Sequence, residues 1–164
     1  MIEEYEKILA RGLKNKDLNK KFLTVLAKKK IPRFDLLVQK LHAEVFESID
    51  CTQCANCCKT LGPRFTTTDI GRISSLLKMR ETVFIREYLI VDEDSDFVFK
   101  SMPCPFLVND DLCGIFDKRP RACAQYPHTD EKNIRIGQMS LNMQYCPAVV
   151  LIVEKLKEQF GKLG

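Results

Sequence analysis

No stretch of this chain is long and apolar enough to cross a bilayer. The longest apolar run, Ala148 to Val153, falls far short of the roughly 20 residues a spanning helix needs, so no membrane insertion is expected. The opening segment Met1-Ile2-Glu3-Glu4-Tyr5-Glu6-Lys7 is acidic and amphipathic, without the continuous apolar core of a secretory signal. A cytoplasmic protein is the expectation, in a compartment that keeps thiols reduced. Internal repeats, low-complexity tracts and a Gly/Pro/Ser-rich linker are also lacking, and a chain of 164 residues suits a single domain. Paired carboxylates, a Ser/His/Asp set, a Walker motif and a dinucleotide fingerprint are missing, so catalytic and cofactor-binding residues stay unknown at this level.

What the chain does have is sulfur. Eight cysteines occur, four of them in Cys51-Thr-Gln-Cys54-Ala-Asn-Cys57-Cys58, and the others as Cys104, Cys113, Cys123 and Cys146. Thiolates repeated at such short intervals can converge on one point, which a soft metal ion or an iron–sulfur cluster requires. In a chain able to build its own apolar core, this cysteine density falls below that of a secreted disulfide scaffold; metal or redox chemistry is the better reading. The expected ligand set is all eight: Cys51, Cys54, Cys57, Cys58, Cys104, Cys113, Cys123 and Cys146.

The spacing narrows the chemistry. Cys51, Cys54 and Cys57 form the C-x2-C-x2-C tripod of bacterial ferredoxins, whose remaining ligand is a Cys-Pro. No cysteine follows Cys57 at the ferredoxin interval, but Cys104-Pro105 and Cys146-Pro147 supply that dipeptide from elsewhere. A structural zinc site more often joins two separated C-x2-C pairs, and no second pair is present, so iron–sulfur is mildly favoured over zinc. Radical-SAM spacing is not matched. Adjacent side chains diverge in helix or strand, which assigns Cys57 and Cys58 to different centres. One would hold Cys51, Cys54 and Cys57 with a distal cysteine; the other would hold Cys58 with the remaining three. A single four-cysteine centre is the competitor.

The formal net charge of +4 counts every cysteine as neutral. A four-thiolate centre carries roughly −2, so one would bring the chain to about +2 and two to about zero. The basic balance is therefore weak support for nucleic acid. Lys28-Lys29-Lys30 carries no interleaved aromatic residues and lies where a helix should end before Ile31-Pro32; a solvated, dipole-matched helix terminus is the better account.

The expected fold is mainly α with a small β-hairpin and an irregular metal-stapled cysteine-rich core, in a single domain with a helical N-terminal cap. Residues 1–48 are the cap and residues 49–164 the cysteine-cluster metal-binding domain. Apolar stripes predict three helices first: Ile2, Tyr5, Leu9 and Leu13; Leu18, Phe22, Val25 and Leu26; Phe34, Leu37, Leu41 and Val45. Thr66-Thr67-Thr68-Asp69 reads as a capping box, with Ile70, Ile73 and Leu77 on the buried face behind it. Thr82 to Leu89 reads as a short helix and Asp92 to Asp96 as an acidic turn, without the glycine and distal glutamate of a calcium loop. Phe97 to Met102 reads as a strand, paired with 106–108 or with Ile134-Arg135-Ile136. Pro147 opens the last helix, whose apolar face is Val149, Ile152, Leu156 and Phe160, and Gly161 suits a left-handed stop. Cys146 then becomes its N-cap, where the helix dipole is expected to lower the thiol's pKa and favour ligation. His42 and His128 are expected to be ordinary histidines, and Arg119-Pro120-Arg121 either compensates thiolate charge or is a plain basic turn.

Taken together, Cys51-x2-Cys54-x2-Cys57-Cys58, Cys104-Pro-Phe-Leu, Cys113-Gly-Ile-Phe-Asp-Lys-Arg-Pro-Arg-Ala-Cys123-Ala-Gln-Tyr-Pro and Cys146-Pro closely resemble the CxxCxxCC (YkgJ-like) cysteine-cluster family. The resemblance covers roughly residues 48 to 150 and implies a proposed zinc- or iron-chelating domain. Thr67-Thr68-Asp69-Ile70 is similar to the family's helix after the cluster. The family usually has arginine after the seventh cysteine, where this chain has Ala124. A related cysteine region occurs in flagellin lysine methylases, which supplies an enzymatic analogy. Three functions follow as alternatives: an iron–sulfur or iron protein in redox or cluster-related work, a zinc-stapled module binding a protein or nucleic acid, and a metal-dependent modifying enzyme of methylase type. The expected cofactor is an iron–sulfur cluster or zinc, in one or two centres. A protein partner is compatible with this reading, nucleic acid is disfavoured, and no membrane is involved.

Overall fold

The computed structural model describes residues 1–109 and 112–161. In chain order they form helices α1 (Glu3–Lys14), α2 (Lys16–Ala27), α3 (Phe34–Phe46), α4 (Cys51–Cys54), α5 (Asn56–Thr60), α6 (Thr67–Leu76) and α7 (Glu81–Tyr88). Strands β1 (Leu89–Val91), β2 (Phe97–Phe99), β3 (Leu107–Val108) and β4 (Leu112–Cys113) follow, then a 3-10 turn at Phe116–Lys118 and helices α8 (Arg121–Gln125), α9 (Ile136–Asn142) and α10 (Pro147–Phe160). The protein is mainly helical, as expected. Among the described residues no helix is long and apolar enough to cross a membrane. Contacts gather the chain into two compact units: Met1–Cys54 with the chain from Pro127 onward, and Ala55–Tyr126.

The first unit is built on α10, which packs against α1 and α3, while α2 packs against α9. Ala148, Val149, Val150, Ile152, Val153 and Leu156 have no exposed surface, so the core face of this helix is wider than one apolar stripe. Gly12 lets α1 approach: a Cβ there would stand 2.6 Å from Val150 Cγ2. The α2 face differs from its sequence reading. Leu18 is 65% exposed and Val25 37%, whereas Leu23, Leu26 and Asn19 are buried. The buried Asn19 explains the shift, because its amide donates to Gly12 O at 3.4 Å and its oxygen accepts from Lys157; a polar residue on the inner face hides it from a hydrophobicity pattern.

The second unit has shorter elements around an aromatic-rich cluster of Phe65, Ile70, Ile73, Phe84, Leu89, Phe99, Phe106 and Ile115. Phe65 meets Phe99 edge-on at 4.8 Å between ring centroids, a favoured aromatic geometry. The capping box at α6 is present. Thr66 Oγ1 accepts from Asp69 N at 3.1 Å and Asp69 Oδ2 from Thr66 N at 3.1 Å.

Three expectations are corrected. Strand β2 pairs with β1, in the antiparallel register Leu89↔Phe99, Ile90↔Val98 and Val91↔Phe97, not with 106–108 or 134–136. The acidic turn makes this pairing local: Asp92 Oδ1 accepts from the amides of Asp94 at 3.0 Å and Asp96 at 2.9 Å, and closes a hairpin. Residues 107–108 instead pair with Leu112–Cys113. Ile136, read as a strand residue, opens helix α9, whose buried residues Met139 and Asn142 are too few to show a periodicity. Finally, Gly161 keeps right-handed φ −63°, so α10 does not stop on a left-handed glycine.

Candidate metal-thiolate centres

None of the eight cysteines is in a disulfide. The two units divide them three to five. In the first unit, Cys51 and Cys54 bracket the single turn α4, held by Asp50, whose Oδ1 accepts from Thr52 N at 2.8 Å and Thr52 Oγ1 at 2.7 Å. These bonds keep the Asp50 carboxyl below its ordinary pKa. The Tyr5 hydroxyl donates to Ser48 O and accepts from Asp50 N at 2.8 Å, tying this turn to α1. Cys54 is 8% exposed, with Sγ 3.8 Å from Met1 Sδ. Cys146 is the N-cap of α10, as the sequence predicts, and it interacts electrostatically with Cys51 and Cys54.

The expected lowering of the Cys146 thiol does not hold. Burial pushes it up to about 12, although the backbone at Val149 and Ala148 favours the thiolate. The helix terminus does bear on this residue, but the Cys146 side chain makes no cap hydrogen bond and desolvation of an anion outweighs the terminus.

In the second unit, Cys58 lies on α5, Cys104 in the loop before β3, Cys113 on β4 and Cys123 on α8. The four come from separate segments and interact with one another. Burial raises Cys104 to about 11, with Cys58 and Cys113 adding to the effect. Burial raises Cys123 to about 12, with Cys58, Cys104 and Cys113 acting the same way. Burial also raises Cys113, again with help from Cys58. The backbone links two of the segments directly, since Cys104 N donates to Cys58 O at 2.8 Å. Cys58 differs from the rest: a hydrogen bond from Cys57 lowers it to about 7, against burial and with help from Lys59.

The backbone favours negative sulfur at three of these sites, through Phe106 and Leu107 at Cys104, Ile115 at Cys113 and Ala148 and Val149 at Cys146, in each case against the larger effect of burial. Among the described residues no group of three or more potential ligands already stands at metal-binding geometry. The thiols are electrostatic neighbours rather than a finished cage. Their chemistry nonetheless fits a soft cation: sulfur outside any disulfide, and four separate segments to tie together.

Residues 50–147, which contain all eight cysteines, match the family model CxxCxxCC, described as "Putative zinc- or iron-chelating domain". The chain belongs to the CxxCxxCC family. Neither the curated proteins nor the solved structures include a match. Family membership supports zinc or iron chelation by this domain, consistent with the thiol-rich sites.

One part of the CxxCxxCC site was not legible in the sequence. Asp69, 2% exposed, is more than a capping residue. Its Oδ1 accepts from Arg72 Nη2 at 2.7 Å and from Arg121 N at 3.0 Å, while the same Arg72 nitrogen donates to Arg119 O at 2.9 Å. The start of α6 thereby grips the loop that leads into Cys123. Burial pushes the Asp69 carboxyl up, and the bonds from Thr66, Arg121 and Arg72 more than reverse this, leaving it below its ordinary value. The capping-box pattern was the available signal, but nothing in it points 50 residues downstream. His42 Nδ1 meets Thr129 Oγ1 at 2.8 Å and its ring stacks on Phe46, and His128 Nδ1 lies 3.0 Å from Glu131 Oε1. Ala124 is exposed.

Proposed function

We propose that this protein is a metal-thiolate protein with two thiol sets, Cys58, Cys104, Cys113 and Cys123 in one unit and Cys51, Cys54 and Cys146 in the other. The first set carries the proposal furthest, because four sulfurs from four separate segments lie within electrostatic reach of one another. Four thiolates fill one tetrahedral ion or one cubane, and a bound cation would supply the positive charge that keeps buried sulfur ionised. The second set combines the buried Cys54 and Cys146 with the exposed Cys51, with the Met1 thioether 3.8 Å from Cys54. Cys57 hydrogen-bonds to Cys58 and belongs with the first set as a neighbour. Zinc and an iron–sulfur cluster both suit these donors.

The test is elemental analysis and visible absorption of protein purified without oxygen. Brown protein with iron and sulfide supports a cluster, colourless protein with zinc supports a structural ion, and protein free of both metals refutes the proposal.

A further inference from the structure

Four donors complete a tetrahedral ion, and the helical unit brings three cysteines, Cys51, Cys54 and Cys146, to its set. A further sulfur stands beside them. The Cys54 thiol donates to Met1 Sδ, with the two sulfurs 3.8 Å apart. Two sulfurs each bonded at about 2.3 Å to one tetrahedral zinc lie about 3.8 Å from each other, along an edge of the tetrahedron. The pair already has the spacing of two ligands on one ion.

The backbone holds Met1 in this place. Ile2 N donates to Gln53 O at 3.2 Å, inside the turn that Cys51 and Cys54 bracket. Ile2 is also the extended N-cap of α1, so one residue both starts that helix and fastens Met1 to the cysteine turn. Tyr5 makes a second tie, its hydroxyl accepting from Asp50 N at 2.8 Å. Cys51 and Cys54 are three residues apart on a helical turn, a spacing that puts side chains on one face. Cys54 is buried and Cys51 exposed, which leaves a solvent-facing side for metal to enter.

We propose that Met1 is the fourth sulfur donor of the Cys51, Cys54 and Cys146 set, a neutral thioether that completes the coordination of a soft metal ion. The inference rests on the metal-thiolate reading above. Thioether sulfur is polarizable and suits the soft ions that thiolates bind. It adds a bond without adding an anion: a divalent ion with three thiolates carries about −1, against about −2 with four. Where Cys54 and Cys146 are buried, the smaller charge is cheaper to desolvate. The competing account is a methionine that covers Cys54 and bonds to nothing.

The experiment uses the full chain, reduced and loaded with Zn2+, with its five methionines replaced by selenomethionine. Selenium-edge X-ray absorption of the parent should show zinc at bonding distance from part of the selenium. That signal should vanish in Met1→Leu, made by cleaving a leader so that residue 1 can be changed. Leucine is close to methionine in volume, and such exchanges are well tolerated, so the fold persists. Losing an outer partner typically costs about 10–100-fold in metal affinity; in titration against a competing chelator, Met1→Leu should weaken one centre by at least as much and leave the other unchanged. No zinc near selenium in the parent, or the same zinc signal in Met1→Leu, overturns the inference. So does parent-like affinity of both centres in the variant, which a space-filling methionine would give. A parent that takes up no Zn2+ refutes the metal-thiolate reading itself, and this inference with it.

Discussion

The two units solve the same problem, placing cysteines, by opposite means. In the Met1–Cys54 and Pro127-onward unit, Cys146 caps a helix whose first turn is completely buried, and Cys51 and Cys54 sit on one turn pinned by Asp50 and Tyr5. Here a helical core positions the sulfurs. In the Ala55–Tyr126 unit, the strands are two or three residues long and α5 and α8 have five residues each. Helices and ladders this short are marginal by themselves. On the proposed reading, a metal bound by the sulfurs would hold together the segments that carry them. Metal should therefore be an addition in the first unit and a structural necessity in the second.

Metal removal should separate the units most sharply. Structural Zn2+ in small thiolate sites contributes about 10–16 kcal/mol of apparent binding free energy, which is folding free energy where no site survives without the ion. After chelation under reducing conditions, amides around Cys104, Cys113 and Cys123 should lose hydrogen-exchange protection while those of α1 and α10 keep theirs. Equal loss, or equal retention, would erase the contrast between the units.

Core deletions should sharpen it. Phe84→Ala and Leu156→Ala each remove a fully buried side chain, at a cost of about 3–5 and 2–5 kcal/mol respectively. The first should lower the stability of the second unit and weaken metal retention there; the second should destabilise the helical unit whether or not metal is present. Chemical denaturation followed by a probe in each unit reads both. Gly12→Ala comes next. With Val150 Cγ2 in the way, overpacking should cost about 1–3 kcal/mol in the helical unit alone, although alanine is otherwise the better helix former. A more stable Gly12→Ala protein would show that α1 and α10 are less closely set. Thr66→Ala should be the mildest, about 1 kcal/mol for a lost N-cap, with a secondary loosening of the Arg119–Cys123 loop through Asp69. Unchanged exchange at Arg121 N in this variant would uncouple the cap from the loop.

The same contrast governs what the sequence reveals. Features set by near neighbours were legible: the capping box of Thr66 and Asp69, Pro147 opening α10, and Cys146 at its N-cap. The cysteine spacing was legible as a zinc- or iron-chelating pattern, the description of the family whose model matches residues 50–147, because that spacing is written locally in the chain. What failed depended on distant or competing terms. Strand 97–99 took the partner that its own turn delivers, a choice decided by Asp92 accepting two amides. Cys146 rose because burial, invisible along the chain, exceeded the helix dipole. Asn19 hid the inner face of α2, and the reach from Asp69 to Arg121 spans 52 residues, beyond any pattern of spacing.

The central claim is that the thiols form two separate sets, and metal stoichiometry tests it most directly. Counting metal per chain in the parent, Cys123→Ser and Cys146→Ser, with serine keeping the helix N-cap in the last, should show two centres in the parent and a different single centre lost in each variant, while α10 stays helical in Cys146→Ser. One centre in the parent, abolished by both substitutions alike, would contradict the account.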